Sequence, residues 1–323
     1  MTEPTAPPLP GLAAGAAPTI ALDHVSKWYR DVVAVSDVSF GVAPGVTGLL
    51  GPNGAGKSTI LKMMSGLVRP SSGSVLLLGE PARGTPQAYR RLGLVPEQES
   101  LYPYLTGREF VRLNAILQRV PDPDAATDRA IALVEMEDAA GRGLGGYSKG
   151  MRQRLKVAAA LVHDPEIILM DEPLNGTDPV QRAGLIELIR RLGAEGKTVV
   201  VSSHVLSEVE RFAANILVVV AGKLAAAGDY RAIRERMDQH PHTVRVRSED
   251  ARRLAAALVA EPTTRAVRVT GPETLEAETG DVRAFGQAVP RLARLAGLRL
   301  TELTPLDDSL EAVFSYLTEG RGG

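Results

Sequence analysis

The run Gly51-Pro52-Asn53-Gly54-Ala55-Gly56-Lys57-Ser58-Thr59 constrains the fold of this chain more than any other stretch. It spells G-x-x-x-x-G-K-S followed by Thr. Residues 46–50 before it are a short apolar run, sized for a buried strand, and residues 59–67 after it have helical spacing. A strand, a glycine-rich loop and a helix in that order make a phosphate cradle, the P-loop. Gly51, Gly54 and Gly56 let the backbone curl so that successive N–H groups converge on phosphate, and the helix adds the positive end of its dipole. The loop from Gly51 through Pro52, Asn53, Gly54, Ala55 and Gly56 to Thr59 is thus the candidate nucleotide cradle. Within it Lys57 would supply a point charge to the β- and γ-phosphates, and the Ser58 hydroxyl is placed to coordinate the Mg²⁺ that bridges them.

A chain of 323 residues with 44% hydrophobic content can build one large and one small domain, each with its own core. Lys and Arg total 37 against 38 for Asp and Glu, so the balance of charge points to neither nucleic acid nor an anionic membrane surface. The absence of Cys excludes disulfides, thiolate metal ligands and thiol catalysis, and fits a reducing cytoplasm. The five His residues show no metal-ligand spacing. No window approaches the ~18 consecutive apolar residues of a membrane span; the run at 216–221 is strand-sized. Residues 1–18 are rich in Ala, Pro and Gly without a basic start, which predicts a disordered leader and not a secretory signal.

Residues 19–25 and 33–42 are β-branched and joined by a polar turn at Arg30-Asp31, predicting an antiparallel pair at the edge of an α/β core. Ser71-Ser72-Gly73-Ser74 reads as a turn before a strand at 75–78. Helical patterns at 106–120 and 125–139, separated by the breaker Pro121-Asp122-Pro123, make residues 99–163 a helical insert. Beyond Pro165, apolar runs at 167–170 and 198–201 flank a helix at 180–192, and a third run follows at 216–220: the rhythm of a mostly parallel sheet. Asp238-Gln239-His240-Pro241-His242 marks a linker. After it, a strand at 244–246, a helix at 250–260, strands at 266–269 and 274–278, a helix at 282–295 and a strand at 298–303 follow the β-α-β-β-α-β order of a ferredoxin-like domain. A final amphipathic helix at 308–317 carries Leu310, Val313, Phe314 and Leu317 on one face. The expected limits are a leader at 1–18, a nucleotide domain at 19–238 and an accessory α+β domain at 239–323.

Two further segments carry chemistry. Ile167-Ile168-Leu169-Met170-Asp171-Glu172 is a buried strand ending in two carboxylates, where Asp171 can hold the Mg²⁺ shell and Glu172 can orient or deprotonate an attacking water. Tyr147-Ser148-Lys149-Gly150-Met151-Arg152-Gln153-Arg154 precedes a helix, so Ser148 and Gly150 offer a hydroxyl and an N–H to an anion. Alone, that second segment is only an N-cap.

The order and distance of the P-loop, this capped segment and the acidic strand end resemble the ABC ATPases, over residues from about 19 to 238. Where that family reads L-S-G-G-Q, this chain keeps the Ser and the second Gly but has Tyr147, Lys149 and Met151 at the other places. The S-K-G-M variant resembles ATPases of exporters whose permease is a separate chain. The resemblance implies that Tyr29 stacks on adenine, that Asp178 in Asn175-Gly176-Thr177-Asp178-Pro179 faces a second copy, and that His204 in Val201-Ser202-Ser203-His204 touches the γ-phosphate. One position departs from the pattern. The family usually places Gln at a strand end here, and this chain has Val95-Pro96-Glu97-Gln98-Glu99; Glu97 is in register and Gln98 one residue late. Either side chain can ligate a hard cation, and on that argument the two weigh evenly.

What the resemblance implies is an α/β P-loop NTPase core of ABC type with an antiparallel β edge and a helical subdomain, plus a small C-terminal ferredoxin-like domain. ATP and Mg²⁺ would be its cofactors. Two copies would pair head to tail, with Ser148, Lys149 and Gly150 of one completing the P-loop site of the other. A separate transmembrane permease would be gripped by the helical insert and residues 101–107, with Tyr102, Tyr104 and Leu105 either docking it or packing inside the insert. The chain would then sit at the cytoplasmic face of the membrane, touching it only through the permease, and would bind no nucleic acid. The segment Pro305-Leu306-Asp307-Asp308-Ser309-Leu310-Glu311-Ala312-Val313-Phe314 resembles one that recurs in ATPases of drug and antibiotic export. A soluble ABC protein of translation or DNA repair is the runner-up, against which stands the lack of a second P-loop or a long coiled-coil insertion. A non-hydrolysing nucleotide-dependent regulator is a third reading, opposed by intact Lys57, Asp171, Glu172 and His204. Cargo lies outside this chain.

Overall fold

The computed structural model describes residues 18–84, 86–98, 101–213, 215–229, 233 and 241–306, and the chain divides into two compact units, Met1–Asp229 and Tyr230–Gly323. Residues 1–17 of the leader, most of the linker, the helix at 308–317 and most of the 305–314 segment lie outside the described residues.

In the first unit β1 (Ile20–Tyr29) and β2 (Val32–Val42) form the expected antiparallel hairpin. They join β4 (Ser72–Leu77) and β5 (Glu80–Pro81) in a four-stranded sheet of order β2-β1-β4-β5. A second sheet is assembled from β3 (Gly45–Leu50), β6 (Leu92–Val95), β7 (Ile167–Asp171), β8 (Thr198–Ser203), β9 (Asn215–Val220) and β10 (Lys223–Asp229), in the order β10-β9-β3-β8-β7-β6. Its pairings are parallel except for the antiparallel edge β9–β10. Every residue of β7 and β8 is buried, as strands covered on both faces must be, and this explains their continuous apolar runs. One core joins Ile20, Leu22 and Phe40 of the antiparallel sheet to Leu49, Leu169, Val200 and Leu217 of the parallel one, with α1 (Lys57–Met64) contributing Ile60, Leu61, Met63 and Met64. α6 (Pro179–Ala194) packs so close to β3 that a Cβ on Gly193 would lie 2.4 Å from the Val46 side chain.

The remaining helices of this unit are α2 (Pro86–Arg90), α3 (Gly107–Leu117), α4 (Pro123–Leu133), α5 (Lys149–Leu161) and α7 (Leu206–Val209). Local chemistry sets their starts. Thr106 and Glu109 form a reciprocal capping box on α3, and Asp122 caps α4 with Pro123 in its first turn. Arg108 binds Asp128, and Arg112 binds Asp124 at 2.9 Å, tying α3 to α4.

Three local expectations need correction. Residues 121–123 separate α3 from α4 as expected, but the second helix begins at Pro123 and not at 125. The helix predicted to run through residue 139 stops at Leu133, because Glu135 adopts φ 56° and the Met136 and Glu135 N–H groups bond back to the Ile131 and Ala132 carbonyls. That is a Schellman close made with Glu in place of the usual Gly. The turn expected at 71–74 is largely strand, with Asp23 paired to Ser74 and Ser26 to Ser72 around a register shift. Gly73, at φ 80°, allows this, since a Cβ there would sit 2.3 Å from the His24 carbonyl oxygen.

The second unit contains β11 (His242–Ser248), α8 (Ala251–Val259), β12 (Thr264–Val269), β13 (Thr274–Thr279), α9 (Val282–Leu295) and β14 (Leu300–Pro305). The strands pair antiparallel in the order β12-β13-β11-β14, the ferredoxin-like topology. Val244, Val246, Leu254, Leu275, Phe285 and Val289 form its separate core.

Candidate active site

β3 ends at Leu50 and hands the chain to the P-loop. Gly51 must pass close to β9, since a Cβ there would lie 2.3 Å from the Val219 carbonyl oxygen, and Gly56, at φ 105°, would place one 2.5 Å from the Ala34 carbonyl oxygen. Larger residues would force the loop open. Lys57 is buried in the first turn of α1, and its Nζ donates to the Gly51 and Pro52 carbonyls at 2.8 and 3.2 Å. Asn53 to Thr59 line a cavity of about 340 Å³ together with Ala34, Glu97 and Glu172.

Glu172 enters this cavity from the end of β7. It lies 3.7 Å from Lys57 Nζ through Oε1 and 3.0 Å from His204 Nδ1 through Oε2. Its backbone is held at φ 48°, which turns the side chain out of the strand line. The neighbouring Asp171 accepts the Ser202 hydroxyl at 2.7 Å, and Ser202 Oγ in turn accepts the Glu172 N–H at 2.9 Å. Asp171 also lines a smaller cavity of about 210 Å³ with Ser58, Glu97 and Gln98. Among the described residues no three His, Cys, Asp or Glu side chains cluster as a complete metal cage. One or two carboxylates and a hydroxyl is nonetheless the donor set that Mg²⁺ accepts when phosphate oxygens and waters complete its shell.

Glu97 lines the P-loop cavity, and Gln98 lines only the neighbouring ones. One of those, of about 430 Å³, is shared by Glu97, Gln98, Glu172 and Asn175 with Lys149, Arg152, Gln153 and Lys156 of α5. Ser148 caps α5 by accepting the Met151 N–H at 3.2 Å, and Tyr147 is buried with its hydroxyl donating to the Ala139 carbonyl at 2.6 Å. Gly150 packs against Gln181 of α6, and the Lys149 side chain lies across Gly176. Neither Ser148 nor Gly150 lines the P-loop cavity of its own chain. Asp178 caps α6 by accepting the Val180 and Gln181 N–H groups at 3.0 and 2.9 Å. Tyr29, at the outer end of β1, exposes 44% of its surface and carries Lys27 Nζ 4.9 Å from its ring centre.

Three features have no counterpart in the sequence reading. Ser202 joins the two carboxylates, although a Ser ending an apolar run was the only signal for it. Glu208 on α7 pairs with Arg182 of α6 at 3.2 Å, and Arg182 also donates to the Thr177 carbonyl, linking the segment after His204 to the segment holding Asp178. Burial raises the Glu208 carboxyl above its ordinary range, with the Glu172 charge adding to the effect and Arg182 opposing it. Lys156 of α5 is the third, its Nζ donating to the Pro96 and Glu97 carbonyls at 2.7 and 3.2 Å. On the outer side, a groove of about 420 Å³ is lined by Leu67, Leu94, Tyr102, Phe110, Leu113 and Leu117 among others. Tyr102 packs on Phe110 at 6.4 Å between ring centres, whereas Tyr104 is 79% exposed. Among the described residues no helix is long and apolar enough to cross a membrane.

The family described as ABC transporter matches residues 35–175. The chain is 34% identical over 303 residues to the Nod factor export ATP-binding protein I of Rhizobium leguminosarum bv. viciae, covering 93% of this chain and 94% of that one. It is 30% identical to an uncharacterized ABC transporter ATP-binding protein of Bacillus subtilis, over 91% and 98% of the two chains. With an uncharacterized ABC transporter ATP-binding protein of Nostoc the identity is 43%, over 62% of this chain and 61% of the relative. Among solved structures, an ATP binding subunit of an ABC transporter superposes with a TM-score of 0.62 at 29% identity, covering 67% of this chain and 92% of that one. A dimeric post-hydrolysis ATP-binding cassette bound to ADP and Pi superposes with a TM-score of 0.61 at 25% identity, covering 65% and 98%.

Proposed function

Because this chain belongs to the ABC transporter family as an ATP-binding subunit and ABC-type ATPase, we propose that it is the engine of an exporter, driving a separate transmembrane permease of drug, antibiotic or similar efflux type. The observation that carries this is the P-loop cavity, in which Lys57 and Ser58 face two carboxylates, Glu172 and Glu97, delivered by separate strand ends. Export itself is supported by the full-length similarity to proteins named for Nod factor export.

In this proposal Asn53 to Thr59 wrap the triphosphate of ATP, with Lys57 exchanging its loop carbonyls for phosphate oxygens, and Tyr29 stacks on the adenine. Ser58, Asp171 and Glu97 would hold Mg²⁺, whose contribution when bound is to neutralise charge on the β- and γ-phosphates. Glu172 orients and deprotonates the attacking water, and His204, in contact with that carboxylate, completes the γ-phosphate end of the site. Two copies pair head to tail, so that Ser148, Lys149 and Gly150 of one close the P-loop cavity of the other and Asp178 faces across. Hydrolysis removes the γ-phosphate contacts that hold the copies together, and their separation moves the permease. The apolar groove with exposed Tyr104 and neighbouring Tyr102 and Leu105 is the docking surface for that permease, at the cytoplasmic face of the membrane. Residues 239–323 are an accessory domain that stabilises the pair.

The test is to tag the chain in its native cells, solubilise membranes gently and identify copurifying proteins by mass spectrometry. A polytopic membrane protein at near-equal stoichiometry is expected. Recovery without one, or with ribosomal or DNA-repair proteins, would overturn the exporter reading.

A further inference from the structure

Lys156 is a lysine in the interior. It is 5% exposed, in the third turn of α5, and its Nζ donates to the Pro96 carbonyl at 2.7 Å and the Glu97 carbonyl at 3.2 Å. An amine taken out of water is costly unless its hydrogens find acceptors, so the two carbonyls and the lysine hold one another. The geometry has a specific consequence for Glu97. Its backbone dihedrals lie between the peptide plane that carries the Pro96 carbonyl and the plane that carries its own. A donor that holds both oxygens fixes both planes, and with them the direction in which the Glu97 side chain leaves the backbone. That side chain lines the P-loop cavity.

The same lysine has a second boundary. It lines the 430 Å³ cavity beside Glu97 and Glu172, and it also lines the apolar groove with Tyr102, Phe110 and Leu113. No other side chain of α5 borders both.

We infer that Lys156 is a positioning residue, holding the Pro96-Glu97 turn so that Glu97 faces the phosphate cavity. This rests on the role proposed above for Glu97.

The test is a double-mutant cycle on the full chain without permease, reading turnover, the Mg²⁺ concentration for half-maximal rate and binding of a fluorescent ATP analogue. Lys156→Met should lower kcat by ~10–100-fold and raise the Mg²⁺ requirement, while analogue binding changes less than ~2-fold and Lys156→Arg recovers part of the loss. In a Glu97→Ala background the same substitution should cost less than ~2-fold, because the group it positions is gone. Should Lys156→Met not fold, Lys156→Gln, which keeps an N–H donor but shortens its reach, carries the same cycle. An equal loss in both backgrounds would make Lys156 a structural pin and overturn the inference. So would a wild-type rate for Lys156→Met beside an impaired Glu97→Ala, and that result would leave the role of Glu97 standing. A wild-type rate for Glu97→Ala would remove that role and the inference with it.

Discussion

The Ser202 hydroxyl donates to Asp171 at 2.7 Å while accepting the Glu172 N–H at 2.9 Å, so one buried side chain of β8 orients both carboxylate-bearing residues at the end of β7. Ser202→Ala would leave a buried N–H and a buried carboxylate oxygen without this partner. The expected cost is ~1–3 kcal/mol of folding stability, with turnover reduced more than ATP affinity. Urea denaturation beside steady-state kinetics checks it; a variant with unchanged stability and kcat would show that the bridge is dispensable.

Glu172 sits between Lys57 and His204, at 3.7 and 3.0 Å. Glu172→Gln keeps the shape but cannot take a proton from water. Turnover should fall by ~10²–10⁴-fold while ATP still binds, and an ATP-bound dimer should accumulate in light scattering. A wild-type rate would remove Glu172 from the role of base.

His163 carries a pH signature. Its Nε2 donates to the Leu92 carbonyl at 3.1 Å, its Nδ1 is buried without a hydrogen-bond partner, and burial lowers its pKa from 6.5 despite that bond and the nearby Asp164 charge. The folded state therefore favours the neutral ring. Below pH 6.5 the unfolded chain takes the proton first, so the stability this ring supports is present above that pH and is lost as pH falls through the lowered folded value. Urea unfolding over a pH series should show stability declining below ~6.5 by at most ~1.4 kcal/mol per unit from this group. His163→Gln, which retains a donor for Leu92, should flatten that decline; an unchanged slope would refute the assignment.

Phe285 is fully buried in the core of the second unit. Phe285→Ala should destabilise that unit by ~3–5 kcal/mol, visible as earlier hydrogen exchange within residues 241–306. ATP binding should persist, because the P-loop cavity is lined from the first unit alone. Loss of ATP binding would instead show that the nucleotide site depends on this core.

What was legible in the sequence were features whose cause is local. The P-loop could be read because its glycines, Lys57 and Ser58 act within nine consecutive residues, and the buried strands because β7 and β8 are apolar throughout. The ferredoxin-like order could be read because two strongly periodic helices punctuate it. Local signals also misled. The Schellman close of α4 uses Glu135, which carries no mark of a left-handed residue, and β10 is built on Ala225-Ala226-Ala227, a run with little strand propensity that pairs because β9 offers it an edge.

The sequence by itself determined the nucleotide chemistry and the family of the fold, since both rest on residues adjacent in the chain and on periodicities of one strand or helix. Tertiary structure alone decided which groups meet. Glu97 and Gln98 are equal as ligands on paper, and only the turn after β6 sends Glu97 into the P-loop cavity. Ser202 reaches Asp171 across 31 residues, and Lys156 reaches Pro96 across 60. Such contacts leave no periodic trace, because they depend on strand order and on the seating of α5 beside the turn after β6, both products of the packed core.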